Sequence, residues 1–314
     1  MIILTGGAGF IGSNFLKFLN NKGIEDIIIV DNLGSSIKWK NLVGKKFIDI
    51  IHKSEFLNIK DDFKNIDAIF HFGACSRTTE TDINYLIENN YHYSIELAKF
   101  ALENNMRFIY ASSASTYGDG SKGYSDKIYD ELEPLNGYGF SKHLFDLWVI
   151  RQKLDKVFLG LKFFNVFGPN ELHKDDMASM VTKAYFQIKN TGKIKLFKSY
   201  NPNYADGEQV RDFIYVKDAI DIVWKLYQHN IAGIYNIGTG KARSWNDLAK
   251  AVFKAMGIEP NIEYIDMPED LKKQYQYYTQ ADTSKLTATG INLQIHSLEE
   301  SVEDYIGNYI SITY

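Results

Sequence analysis

Short apolar runs alternate with longer stretches of mixed polarity through the first half of the chain. Residues 1–4, 26–30, 68–72, 107–112 and 158–164 are rich in Ile, Val, Leu and Phe and are bounded by turn residues. Unbroken apolar runs, rather than alternating ones, predict strands buried on both faces. Between them, residues 13–21, 81–104 and 138–153 have helical length and pattern. Such alternation predicts an α/β fold built on a doubly wound parallel sheet. Beyond about residue 167 the pattern loosens, and a stretch containing Gly and Asn at 201–207 interrupts it. The expected organisation is a first domain over 1–166, with later sheet elements returning near 211–240, and a smaller interleaved C-terminal lobe within 167–314.

Composition narrows the class. Hydrophobic residues make up 45% of the 314 and charged residues 24%, ordinary values for a soluble globular enzyme. A net charge of -4 argues against a nucleic-acid partner held on a broad basic face. No apolar run reaches the roughly 20 residues that span a bilayer, so no membrane partner is expected. Cys75 is the single cysteine and cannot form an internal disulfide, which suits a reducing compartment. The apolar N-terminus lacks a basic leader and runs into a glycine-rich turn, so it reads as a core strand rather than a signal peptide. A cytoplasmic protein is expected. The seven histidines show no metal-ligand spacing, and no metal site is expected.

Thr5-Gly6-Gly7-Ala8-Gly9-Phe10-Ile11-Gly12 follows the first strand and opens the first helix. Glycines there let the backbone turn tightly and approach a pyrophosphate, whose charge then sits at a helix N-terminus. Gly6, Gly9, Phe10, Ile11 and Gly12 are therefore candidate cofactor residues. Asp31 stands 19 residues past Gly12, at the end of the next apolar run. That context, strand before, helix after and acid beyond, is what separates a dinucleotide site from an ordinary tight turn. Asp31 would hold the ribose hydroxyls of NAD. Lys38 and Lys53 follow it and could instead neutralise a 2′-phosphate, although on charge alone they read as solvated surface.

A second motif carries proton-transfer chemistry. Tyr138-Gly139-Phe140-Ser141-Lys142 places Tyr138 and Lys142 at i and i+4 on one helical face. An ammonium at that spacing is expected to lower the tyrosine pKa towards the working pH. Upstream, the hydroxyl-rich segment from Tyr110 to Gly118 lies at the C-terminal end of a strand, where open α/β sheets bind ligands. Ser113 there can hydrogen-bond a reacting carbinol or ketone.

Together these motifs resemble the extended short-chain dehydrogenase/reductases, and within them the ADP-L-glycero-D-manno-heptose 6-epimerases. The resemblance covers nearly the whole chain. It includes Asp31-Asn32-Leu33, residues 71–79 with Gly73-Ala74-Cys75-Ser76, and Asn89-Asn90-Tyr91. Further on it takes in Phe164-Asn165-Val166-Phe167-Gly168-Pro169, His173-Lys174 before Met177-Ala178-Ser179, Arg211-Asp212-Phe213, and Thr279-Gln280-Ala281-Asp282. It implies a Rossmann sheet binding NADP, with NAD the alternative, and an ADP-heptose substrate. Ser113, Tyr138, Lys142 and Lys174 become the catalytic residues. Asn32, Lys38, Lys53, Phe72, Gly73, Ala74, Cys75, Ser76, Asn89 and Val166 join the phosphate turn, Asp31, Tyr138, Lys142 and Lys174 in cofactor binding. Ser113, Asn165, Asp176, Lys183, Phe197, Arg211 and Tyr275 fall at substrate-binding positions. A homo-oligomer is also implied, family members often being pentamers.

Epimerisation outside the sugar ring explains a second base. Tyr138 would take the hydroxyl proton as hydride leaves for the nicotinamide, giving a transient 6-ketone. Rotation about the bond to the ring presents the other face, and a second acid/base must then reach the oxygen. The resemblance assigns this role to Lys174; by itself a lysine in that loop reads as a phosphate contact or a surface charge. Asp176 stands where the family usually has a small hydroxyl residue, Lys183 where histidine is common, and residues 198–210 form a longer segment. A UDP-hexose 4-epimerase shares every motif through Lys142 and stays open as an alternative. A nicotinamide-binding regulator without catalysis is the alternative from another class, and the intact tyrosine–lysine pair argues against it.

Overall fold

The computed structural model describes residues 1–272 and 275–311. Seven strands form the main sheet: Ile2–Thr5 (β1), Ile27–Asp31 (β2), Asp49–His52 (β3), Ala68–His71 (β4), Arg107–Ser113 (β5), Leu159–Phe163 (β6) and, after three strands elsewhere, Gly233–Ile237. The three are Asn165–Phe167 (β7), Ile194–Phe197 (β8) and Val210–Tyr215 (β9), which makes Gly233–Ile237 β10; Ala242–Ser244 (β11) and Ile262–Ile265 (β12) follow. The order across the main sheet is β10-β6-β5-β4-β1-β2-β3, and each pair from β6 to β3 is parallel.

Burial explains which strands the sequence announces. Every residue of β1, β2, β4 and β6 is buried, so each must be apolar or internally satisfied along its length. The edge strand β3 buries only Ile51 and leaves no such run. Helices cover the sheet, and one core cluster joins Ile3, Ile28 and Ile69 of the strands to Leu97, Phe100 and Phe145 of the helices. Order reverses at β1, between β4 and β2, and a crevice outside the strands' carboxyl ends is the ligand position of such folds.

The stretch 81–104, read as one helix, contains an interruption. Helix Ile83–Ile87 passes through a π turn at Glu88–His92 into helix Tyr93–Glu103. The wider turn breaks the 3.6-residue period and directs Asn90 inward, where it is fully buried.

Contacts divide the chain into two compact units. The first comprises Met1–Gly118, Asp126–Phe163 and Ile220–Tyr235; the second comprises Asp119–Ser125, Phe164–Ala219 and Asn236–Tyr314. The second contains a three-stranded sheet ordered β11-β9-β7 and the parallel pair β12-β8. Its helices Trp245–Met256 and Leu298–Tyr305 each begin in a capping box, Ser244 with Asp247 and Ser297 with Glu300. Among the described residues no helix is long and apolar enough to cross a membrane. None of their His, Cys, Asp and Glu side chains group in threes that could hold a metal ion.

Candidate active site

The phosphate turn is a cradle that side chains would fill. Gly6 adopts φ +69, and a Cβ there would lie 2.6 Å from the Gly73 backbone nitrogen. A Cβ on Gly12 would lie 2.1 Å from the Gly6 carbonyl oxygen. Gly6 N–H donates to Val30 at 2.8 Å, and Ala8 N–H donates to the Asp31 carboxylate at 2.9 Å, so the turn is tied to the end of β2. Helix Phe10–Asn21 starts at Gly9 with no capping side chain among the described residues and no acid in its first turn. A close backbone approach, an uncapped helix N-terminus and a carboxylate at the end of β2 fit a nicotinamide dinucleotide. Asp31 also accepts from Asn32 N–H at 2.7 Å and from Lys38 Nζ at 2.6 Å. Lys38 is thus an ion-pair partner of Asp31 rather than a solvated lysine. Lys53 donates to the Asn89 side chain, and burial lowers its pKa.

A hydrogen-bond chain links this turn to the tyrosine helix. Gly73 N–H donates to Thr5 Oγ1 at 3.1 Å, and Thr5 Oγ1 lies 2.6 Å from His71 Nδ1. His71 Nε2 lies 2.8 Å from Ser94 Oγ, whose proton goes to the Asn90 carbonyl. With that proton committed, Ser94 accepts, so His71 carries its hydrogen on Nε2 and receives the Thr5 hydroxyl at Nδ1. Asn90 then grips Cys75 from both sides, accepting its N–H at 2.8 Å and donating to its carbonyl at 2.9 Å. The same amide donates to Ser141 Oγ at 3.0 Å, and Ser141 donates to the Tyr138 carbonyl at 2.8 Å. Phe72, Gly73, Ala74, Cys75 and Ser76 follow β4 directly, and this network sets their path.

Helix Gly137–Arg151, capped by the Asn136 side chain, carries the tyrosine–lysine pair. Ser113, the last residue of β5, is hydrogen-bonded to the half-buried Tyr138 phenol. The structure corrects the expected pKa. Burial raises the Tyr138 phenol above its usual value, and the Ser113 hydrogen bond opposes that rise without cancelling it. Lys142 is buried, which pulls its ammonium down to about 8 against the opposing charge of Asp146.

The second unit holds the other predicted residues. Arg211 on β9 is buried, with its guanidinium carbon 5.5 Å from the Trp245 ring centre and 5.3 Å from that of Tyr275. Trp245 Nε1 donates to the Tyr275 hydroxyl at 2.9 Å, closing an aromatic frame around the cation. This excludes the surface salt bridge that a lone arginine would suggest. Tyr277 and Tyr204 extend the cluster, Tyr204 coming from the longer 198–210 segment. Next to Arg211, buried Asp212 accepts from Thr239 N–H, Thr239 Oγ1, Gly240 N–H and Ala281 N–H at 2.8–3.0 Å, fixing the glycine loop beneath it. Lys174 lies in the short helical turn Leu172–Met177, where burial lowers its pKa. Lys183 donates to the Asp176 carbonyl at 2.6 Å. Asn165 and Val166 open β7, Asp176 is exposed, and Phe197 ends β8.

Residues 2–238 match the NAD dependent epimerase/dehydratase family. The chain belongs to that family. It is 52% identical to the ADP-L-glycero-D-manno-heptose-6-epimerase of Nitratidesulfovibrio vulgaris strain DP4, covering 99% of this chain and 98% of that one. It is 49% identical to the enzyme of the same name from Fusobacterium nucleatum, with the same coverage. The crystal structure of the Helicobacter pylori ADP-L-glycero-D-manno-heptose-6-epimerase superimposes with a TM-score of 0.84 at 30% identity, covering 98% of this chain and 95% of that one.

For a member of the NAD dependent epimerase/dehydratase family, the sequence motifs name the candidate reacting groups and pass over the residues that support them. Asn90, His71, Asp146 and Trp245 carry no motif of their own that marks them. Asn90 lies within a resembling stretch, and a polar residue in the middle of a helix was its only local signal. His71 and Asp146 are polar residues inside an apolar strand and an apolar helix face, which is where a buried network shows in a sequence.

Proposed function

We propose that this protein interconverts ADP-D-glycero-D-manno-heptose and ADP-L-glycero-D-manno-heptose at C6. The observation that carries the reading is 49–52% identity, over 99% of the chain, to relatives of that name, joined to the pairing of Tyr138 on its helix with Ser113, the last residue of β5. Tyr138 takes the C6 hydroxyl proton while Ser113 hydrogen-bonds the same oxygen, leaving a ketone. A nicotinamide dinucleotide, when bound, supplies the redox step at C6 in both directions. Since C6 lies outside the ring, rotation about its bond to the ring exposes the other face and turns the oxygen away from Tyr138. Lys174 is the second acid/base, and the burial that lowers its pKa suits that task. Lys142 holds the nicotinamide ribose, and Arg211, framed by Trp245 and Tyr275, holds the substrate diphosphate.

The dinucleotide we propose is NADP. A lone carboxylate at the end of β2 would repel a 2′-phosphate, but the Lys38 ammonium 2.6 Å away offsets its charge. Titration calorimetry on protein stripped of nucleotide tests this. NADP should bind at least about tenfold more tightly than NAD, and Lys38→Ala should abolish the preference; tighter binding of NAD by the unaltered protein would overturn it.

The activity is tested by incubating purified protein with ADP-D-glycero-D-manno-heptose and separating the epimers by chromatography. Conversion to a mixture of both is expected. No conversion in the presence of either dinucleotide would overturn the assignment.

A further inference from the structure

Glu171 is a fully buried carboxylate to which neither the motifs nor the reaction gives a task. Its oxygens accept from Gly168 N–H at 3.4 Å, Ser179 N–H at 2.6 Å, Ser179 Oγ at 2.7 Å and Thr182 Oγ1 at 2.7 Å. Thr182 has then given its only proton, so Tyr305 OH, 3.0 Å away, donates to it and braces the group from helix Leu298–Tyr305. Ser179 is the N-cap of helix Met180–Thr191, so the carboxylate sits at a helix N-terminus, where negative charge is favoured. Gly168 and Ser179 are the two ends of a loop, and one side chain ties both. Within it, Lys174 N–H donates to the Glu171 carbonyl at 2.9 Å, and the chain turns at Asp175 with φ +47 and ψ -119. A non-glycine residue keeps such a conformation only where its surroundings over-determine it.

We propose that Glu171 is the positioning residue for Lys174: its buried carboxylate clasps both ends of the loop and sets where the lysine's amine stands. The proposal rests on the reading of Lys174 as the second acid/base, but its test does not. Electrostatics agree with the geometry. Burial lowers the Lys174 pKa, Glu171 opposes that fall, and Lys183 on helix Met180–Thr191 adds to it. His173, Asp175 and Asp176 are the other titratable groups of the same turn. Replacing the carboxylate with an amide removes an opposing charge and offers an NH₂ where four donors already converge.

The pH dependence of Lys174 acylation by acetic anhydride, read by peptide mass spectrometry with exposed Lys250 as internal control, measures this directly on the full chain. Glu171→Gln should move the labelling midpoint of Lys174 down by about one pH unit and leave Lys250 in place. Folded Glu171→Gln with an unmoved midpoint would overturn the proposal. If that variant does not fold, Thr182→Val removes one donor from the carboxylate, and Lys174 should label severalfold faster at fixed pH. An unchanged rate would overturn it equally. Turnover by Lys174→Ala, assayed separately, tests the acid/base reading and has no bearing on the labelling result.

Discussion

Asp146 and Lys162 form an ion pair at 3.0 Å in which neither side chain is exposed. The Asp146 carboxylate also accepts from Ser112 Oγ at 2.7 Å and Tyr110 OH at 3.1 Å, and Lys162 donates to Thr116 Oγ1 at 2.6 Å. The pair therefore joins β5, β6 and the tyrosine helix, beside the residue that precedes Ser113. Burying two charges costs several kcal/mol unless the remaining lone pairs and protons are matched, and here they are.

Removing one partner should expose that cost. Asp146→Ala leaves the Lys162 ammonium buried and uncompensated, and stability should fall by about 3–5 kcal/mol. Urea unfolding followed by circular dichroism measures it, and a loss below about 1 kcal/mol would contradict the account. Asp146→Asn, which keeps an acceptor, should cost less.

Gly12→Ala should abolish dinucleotide binding. The added methyl would meet the Gly6 carbonyl at 2.1 Å, and backbone atoms of the same turn cannot yield without opening the cradle. The nucleotide released on denaturing the purified variant should drop to a trace. Full occupancy would show that the turn has room the structure denies it.

Tyr138→Phe should fold normally, because the ring stays and only a half-buried hydroxyl goes. Turnover should fall by about 10²- to 10⁴-fold, the usual worth of a positioned acid/base. Because burial raises the phenol of the protein alone, unaltered enzyme should lose rate on the acid side of its profile, where the phenolate is scarcest. An undiminished rate in the variant would remove Tyr138 from the proton path.

His71 makes stability depend on pH. Burial holds its pKa at about 3, against 6.5 when unfolded. Between these values the unfolded chain binds a proton that the folded chain does not. Unfolding free energy therefore rises with pH across that window and is lost as pH falls below 6.5, by up to about 1.4 kcal/mol per unit. His71→Gln should be less stable at pH 7 but should flatten this slope between pH 5 and 6.5. Urea midpoints across that range decide, and an unchanged slope would assign it to other groups.

The sheet's interior was legible because strands buried on both faces have no room for unmatched polarity. The apolar runs ending near Leu4, Val30, Phe72, Ser112 and Phe164 became β1, β2, β4, β5 and β6. Strands without such an apolar run have physical reasons for lacking one. β3 buries a single residue, and β9 carries Arg211 and Asp212 in its interior. Both charges are buried, which is tolerable only because Trp245, Tyr275, Thr239, Gly240 and Ala281 reach them from later in the chain.

The sequence alone determined the features whose geometry is local. The glycines of the phosphate turn, a carboxylate at the next strand's end, and Tyr138 and Lys142 one helical turn apart follow from spacing, because backbone rules act over a few residues. Only the tertiary structure decided which distant groups complete them. Thr5 meets His71, Asn90 holds Cys75, and Glu171 gathers Gly168, Ser179 and Thr182. It also decided the sign of the Tyr138 shift, because desolvation depends on everything packed around a group, and spacing along the chain carries no measure of that.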